Sequence, residues 1–254
     1  MAIYAEYARV YDRSGQLSFS LQMLPYLETL LERHPVAGRT MLDLACGTGT
    51  VAIAMARTGW KVIGIDQSAE MLAEARAKVK DIEIDLEWSR QDMRRFTLPE
   101  PVHLVTCLYD SMNYMLTNED LLATFRRTFR ALHPGGLFLF DMNTAWAFAT
   151  FWDGDTYFTD TPNLSVVFQS LYYPTKQRTT VTVTCFERDA DSGLYRKIVE
   201  RHTEQAYPPE QVSTLLTDVG FRVEAQYDCF SFHAPNETSG RIMWVARHPG
   251  SGPK

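Results

Sequence analysis

The 254-residue chain carries 25 Lys and Arg against 31 Asp and Glu, a formal net charge of −6. That acidic balance argues against nucleic acid as the partner, because phosphate recognition normally needs a basic footprint. With 45% hydrophobic and 22% charged residues, the composition is globular and not disordered.

Cys46, Cys107, Cys185 and Cys229 are widely spaced, and the six histidines are scattered, so neither a metal site nor a disulfide framework is expected. The opening MAIYAEYARVYDRS has no apolar leader core, and no apolar run reaches the roughly 20 residues that cross a bilayer. The expectation is a cytoplasmic protein with reduced thiols and no membrane partner.

In chain order, Leu17, Leu21, Leu24, Leu27 and Leu31 mark an amphipathic helix over 17–33, which Pro25 should either kink or begin. Short apolar runs then alternate with helical stretches. Strands are predicted at 41–44, 61–65, 84–88 and 102–108, with helices at 50–58 and from Ser68 to about residue 80. Asn118 is the expected cap of a helix whose acidic first turn and arginine-rich end match the macrodipole. His133-Pro134-Gly135-Gly136 should break the chain before a strand at 137–141.

Beyond residue 150, three Val-, Thr-, Tyr- and Phe-rich segments at 164–173, 178–187 and 194–206 read as an antiparallel ribbon. Pro208-Pro209 opens a helix ending at Gly220, strands follow at 221–230 and 241–247, and 249–254 should fray. Strand–helix alternation implies right-handed crossovers. The fold class is therefore α/β: a Rossmann-like, seven-stranded, mostly parallel sheet with helices on both faces, plus a small antiparallel β insertion. The expected division is a helical segment at 1–39, a core of 40–154 with 207–248, and an insertion at 155–206 serving as a lid or dimer interface.

Chemistry concentrates at Met41-LDLACGTGT-Val51, where a strand ends and glycines let backbone approach a ligand at a helix start. Asp66 closes the second strand, where a carboxylate can hold ribose hydroxyls. Alone, the turn also satisfies the G-x-G-x-x-A dinucleotide fingerprint. Asp43, inside the first strand, is awkward beside a pyrophosphate and suits a cationic ligand. Asp92 after the third strand can bind an exocyclic amino group, with Met93 offering an apolar face.

Together DLACGTGT, GIDQSAEML, QDM, CLYDSMNYM and HPGGLFLFDMN resemble the class I methyltransferases over residues 40–142. The flanking Tyr-Ala-Arg-Val-Tyr-Asp, the ribbon and Tyr207-Pro-Pro-Glu-Gln are similar to a narrower bacterial group related to amino-sugar N,N-dimethyltransferases. The resemblance implies S-adenosylmethionine as cofactor, leaving S-adenosylhomocysteine as product. It implies that Asp43, Ala45, Cys46, Gly47 and Thr48 line the methionine part, with Gly49 shaping the turn. Asp66 would hold the ribose between Gln67 and Met71, Gln91, Asp92 and Met93 the adenine, and the Leu108 carbonyl would face the amino group.

For the acceptor, Asp110, Asn113 and Tyr114 lie beyond the fourth strand, with Tyr109 beside them; Tyr7 and Tyr11 would close over the site. The bland readings are that Asp110 caps a turn and that the two N-terminal tyrosines staple the first helix. His202 reads first as an exposed or hydrogen-bonded strand residue and only second as a base. The expectation is methyl transfer to a small molecule, nitrogen before oxygen, by a monomer or homodimer. The competing readings are an RNA or protein methyltransferase, an NAD-dependent oxidoreductase and a non-catalytic cofactor binder.

Overall fold

Helices α1 (Ala8–Tyr11) and α2 (Leu17–Arg33) precede β1 (Thr40–Leu44), α3 (Thr50–Arg57), β2 (Lys61–Asp66), α4 (Ala69–Lys78) and β3 (Leu86–Arg90) in a computed structural model that describes residues 3–250. Then come β4 (Val102–Cys107), α5 (Asn118–Ala131), β5 (Leu132–Asn143) and α6 (Ala145–Phe151). A second sheet follows, β6 (Thr156–Thr161), β7 (Leu164–Tyr173), β8 (Arg178–Arg188) and β9 (Tyr195–Gln205), before α7 (Pro209–Val219), β10 (Arg222–Asp228) and β11 (Arg241–Arg247). Four of the six residues expected to fray, 251–254, lie outside the described residues.

The first sheet has seven strands in the order β10-β11-β5-β4-β1-β2-β3. β11 runs antiparallel between β5 and β10, while β3, β2, β1, β4 and β5 pair in parallel. Adjacent side chains on each strand point to opposite layers. Met41, Leu104 and Leu139 pack with α2 and α3, whereas Leu42, Val105 and Phe138 pack with α5 and α7. This sandwich brings the carboxyl ends of β1, β2 and β4 to one edge, where ligands gather in open α/β sheets.

Several local expectations are corrected. α2 runs through Pro25, because Leu21, whose carbonyl loses its helical donor there, sits with Pro25 on the exposed side. Its buried face is Met23, Tyr26, Leu27 and Leu30, rotated from the expected leucine stripe. β3 begins two residues later than predicted, and the ribbon has four strands where three were expected. His133–Gly136 does not end a strand. It forms an irregularity within β5, where Gly135 takes φ +84° and the register against β4 shifts.

Thr117, and not Asn118, caps α5: its side chain accepts from the Asp120 amide at 3.1 Å. Asn118 instead accepts a surface hydrogen bond from Gln211. Among the described residues no helix is long and apolar enough to cross a membrane. Thr117→Ala should cost about 1 kcal/mol and Asn118→Ala less than about 0.5, a difference that denaturant unfolding of both variants checks.

Candidate active site

The glycine-rich turn follows β1 with three residues in left-handed backbone: Ala45 (φ +54°), Gly47 (+54°) and Gly49 (+78°). The two glycines are required for different reasons. A Cβ on Gly49 would lie 2.3 Å from the Trp88 ring, so this glycine lets α3 settle against β3. A Cβ on Gly47 would meet no protein atom and would project into open space. Asp66, at the end of β2, accepts from the Gly47 amide at 2.9 Å and the Ser68 amide at 2.8 Å. Ser68 in turn caps α4.

These residues form one end of a cleft of about 320 Å³. Asp43, Ala45, Cys46, Gly47, Thr48, Asp66, Gln67, Met71, Gln91, Asp92, Met93 and Leu108 all line it, and Gly49 lies behind its wall. Asp43 is buried and accepts from the Thr106 hydroxyl at 2.6 Å. Burial pushes its carboxyl up to about 7, against the pull of that hydrogen bond. Burial also raises Asp66, opposed by its backbone amide donors. Two desolvated carboxylates beside an open backbone cradle fit a ligand with a cationic end and a diol.

Asp92 is less free than its position suggests. The Arg94 guanidinium and backbone amide hold its carboxyl below the usual carboxylate range, and Arg94 also pairs with Asp120. Its remaining lone pairs, not a vacant carboxylate, face the cleft. Likewise the Leu108 carbonyl already accepts from the Ser111 hydroxyl at 2.9 Å and keeps one lone pair for a ligand.

The N-terminal segment closes the cleft. Thr48 donates to Asp12 at 2.7 Å, Lys78 bridges Asp12 and the Thr48 carbonyl, and Ser68 donates to the Tyr4 carbonyl at 2.8 Å. Tyr7 and Val10 pack on the second sheet, where Glu200 accepts the Tyr4 and Tyr7 amides. No periodic pattern announces these contacts; each joins residues distant in sequence.

A second cavity of about 270 Å³ adjoins the cleft, and Tyr4, Tyr11, Tyr109 and Tyr114 line both. Tyr7, Asp110, His202 and Glu204 line the second cavity alone. Asn113, expected beside the acceptor, lines neither. It is fully buried, donating to the Asn143 and Gln205 carbonyls and accepting from the Asn143 amide, so it ties β5 to β9. His202 is buried and not exposed, with Nδ1 3.2 Å from the Tyr114 hydroxyl. Tyr4, Glu204 and Arg241 escaped the sequence reading: Tyr4 lies just ahead of the Tyr-Ala-Arg-Val-Tyr-Asp stretch, and neither Glu204 nor Arg241 stands in a recognisable motif.

Asp110 occupies this second cavity through an ion network. Asp141 of β5 accepts from the Tyr109 amide at 2.7 Å, from the Asp110 amide at 3.0 Å and from Arg241 of β11. Arg241 also reaches Asp110 at 3.2 Å and lies over the Phe19 ring at 4.5 Å. Tyr109 (φ +60°) and Asp110 (φ +50°) are both left-handed, a conformation costing about 1–3 kcal/mol per residue unless the surroundings enforce it.

Residues 41–136 match a family model described as a methyltransferase domain. A putative methyltransferase, YqeM of Bacillus subtilis, is 31% identical over 96% of this chain and 97% of its own length. The dTDP-4-amino-2,3,4,6-tetradeoxy-D-glucose N,N-dimethyltransferase of Saccharopolyspora spinosa is 27% identical, covering 82% of this chain and 78% of that protein. The crystal structure of an S-adenosylmethionine-dependent methyltransferase from Clostridium acetobutylicum superposes with a TM-score of 0.84 at 22% identity, covering 96% and 98% of the two chains.

The two glycines separate by experiment. Gly49→Ala should destabilise the fold by about 3 kcal/mol or more, combining overpacking with backbone strain. Gly47→Ala should cost about 1 kcal/mol or so in stability yet weaken cofactor binding at least about tenfold, because its methyl enters the cleft. Calorimetric titration and melting of the same samples check both.

Asp43 generates a pH prediction. A carboxyl raised in the folded state adds stability at low pH that is lost as pH rises from the ordinary carboxylate range through about 7. Asp43→Asn should therefore match the parent near pH 4 and exceed it above pH 7, by at most about 4 kcal/mol, while binding S-adenosylmethionine more weakly. Melting curves across that range, beside cofactor titrations, measure both effects.

Proposed function

The chain belongs to the S-adenosylmethionine-dependent methyltransferases, and we propose that within that family it methylates a small-molecule acceptor, at nitrogen in preference to oxygen. The observation that carries this reading is the pair of adjoining cavities: four tyrosines form a shared wall between a cofactor-sized cleft and a smaller chamber containing Asp110. The amino-sugar N,N-dimethyltransferase relatives support nitrogen.

In this reading Asp43 faces the amino-acid end of the cofactor and Asp66 its ribose, and the Gly47 backbone receives its close approach. When bound, S-adenosylmethionine supplies a methyl group already activated by its sulfonium charge. The protein must align the acceptor and exclude water, and alignment alone contributes roughly 7–11 kcal/mol in well-oriented systems. Tyr4, Tyr11, Tyr109 and Tyr114 seal the junction, and Tyr7 stands behind them in the second cavity. An alkylammonium ordinarily titrates near about 10, so it must lose a proton before attack. Asp110, raised by burial against the pull of Arg241, is placed to orient the amine and take that proton.

The proposed division has residues 40–154 and 207–248 as the catalytic core. The segment 1–39 and the insertion 155–206 enclose the acceptor, in a cytoplasmic monomer or homodimer. Incubation with isotopically labelled cofactor and a small-metabolite extract, followed by mass spectrometry, should place label on an amine nitrogen. Label on a hydroxyl, on RNA or on protein would overturn the proposal. With the acceptor in hand, Asp110→Asn should lower turnover about 10²-fold while cofactor affinity stays within a few-fold.

A further inference from the structure

We infer that the second cavity is a cation cage for an organic ammonium, its charged end held between Asp110 and Glu204 and its apolar body against the inserted sheet. The inference rests on the proposed methyl transfer to nitrogen and specifies the acceptor's chemical class and the residue that selects it.

Charge is the first argument. Asp110, Asp141 and Glu204 converge on one cation, Arg241, which bonds the first two. Glu204 is left with a single weak donor, Asn143 Nδ2 at 3.4 Å on Oε2. Both hydrogen bonds to the Asp110 carboxylate, from Asn143 at 2.6 Å and Arg241 at 3.2 Å, land on Oδ2. Each residue thus keeps an oxygen without a donor among the described residues, and each lines the cavity. Glu204 is only 4% exposed, so water does little to stabilise its charge.

A second argument does not involve Asp110 or Glu204. His202, also 4% exposed, lines the same cavity, and its Nε2 makes no hydrogen bond: Glu200 Oε2, the nearest acid, stands 3.6 Å away, beyond hydrogen-bond reach. A buried orphan polar atom in a cavity wall points to a polar ligand group. The rest of the wall suits a cation with an apolar body. Tyr4, Tyr11 and Tyr114 line the junction, with the Tyr4 ring 5.8 Å from Tyr11 and 6.1 Å from Tyr114, an aromatic cluster of the kind that attracts organic cations. Trp152, Phe168, Val181 and Val183 supply the apolar side.

Burial holds both Asp110 and Glu204 above the usual carboxylate range, with added repulsion from Asp141 on the first and from Asp110 on the second, opposed by Arg241. The other titratable or charged neighbours, besides the tyrosine phenols, are Asp141 and Arg241 behind the pair, Asp155 in the cavity wall, and His202, which burial keeps low and which faces Glu200. A bound cation favours the ionised carboxylates, so binding must weaken as pH falls through their titration.

The test uses benzyltrimethylammonium, whose charge does not change with pH, titrated calorimetrically in phosphate into the full chain saturated with S-adenosylhomocysteine. Saturation keeps the probe out of the cofactor cleft. The expected result is binding at least about tenfold tighter than that of neutral benzyl alcohol, weaker at about pH 5.5 than at about pH 8, and about tenfold weaker in Glu204→Gln. The comparison of the two probes uses the unaltered protein and needs no variant. Binding of S-adenosylhomocysteine with no preference for the cation, or a preference that Glu204→Gln leaves intact, would overturn the cage. Failure of S-adenosylhomocysteine itself to bind would remove the methyl-transfer reading beneath it.

Discussion

Asp141 is fully buried, and its carboxylate holds the geometry on which the acceptor side depends. It accepts two consecutive backbone amides, from Tyr109 and Asp110, and the guanidinium of Arg241. Those amides belong to residues with left-handed backbone that no glycine relieves. Without the carboxylate, two buried donors would lose their partner and the loop after β4 would be free to relax. Breaking a buried ion pair from one side typically costs about 3–5 kcal/mol, because the remaining charge stays desolvated. β5, β11 and the loop therefore move as one unit.

The core was legible in the sequence for a physical reason. Strand–helix alternation and a glycine-rich turn are local signals, set by side-chain period and backbone conformation. The residues from Asp43 to Leu108 that were expected to face a cofactor do line one cleft, with Gly49 tucked behind it. What stayed illegible depends on contacts between distant segments. Arg241 looks like an ordinary charged residue at the start of a strand until the antiparallel β11 sets it beside Asp141. Glu204 sits in a charged, alternating stretch, and only the packing of β9 against the loop after β4 turns it inward. Asn113 erred the other way: its polar neighbourhood suggested a reacting centre, while its amide serves as a clamp.

The parts of the molecule divide by the kind of restraint they apply. The parallel sheet supplies rigid strand ends, whose packed side chains fix Asp43 and Asp66 to within the tolerance of a hydrogen bond. The inserted sheet carries mixed side chains and holds the N-terminal segment through Glu187 and Glu200, which receive Arg13 and the Tyr4 and Tyr7 amides. One scaffold sets backbone and carboxylates around the first cleft, and the other adds a mixed polar and apolar wall to the second cavity, including Phe168, Val181, His202 and Glu204.

The clamp of Asp12 on Thr48 and Lys78 makes the N-terminal segment a single door to two rooms. Tyr4 and Tyr11, on the same few residues, stand in the wall of both cavities. Lifting that segment for one ligand unseals the other chamber at the same time. A coupling between the two chambers is thereby built into the wall they share: whatever displaces Tyr4 and Tyr11 alters both volumes together.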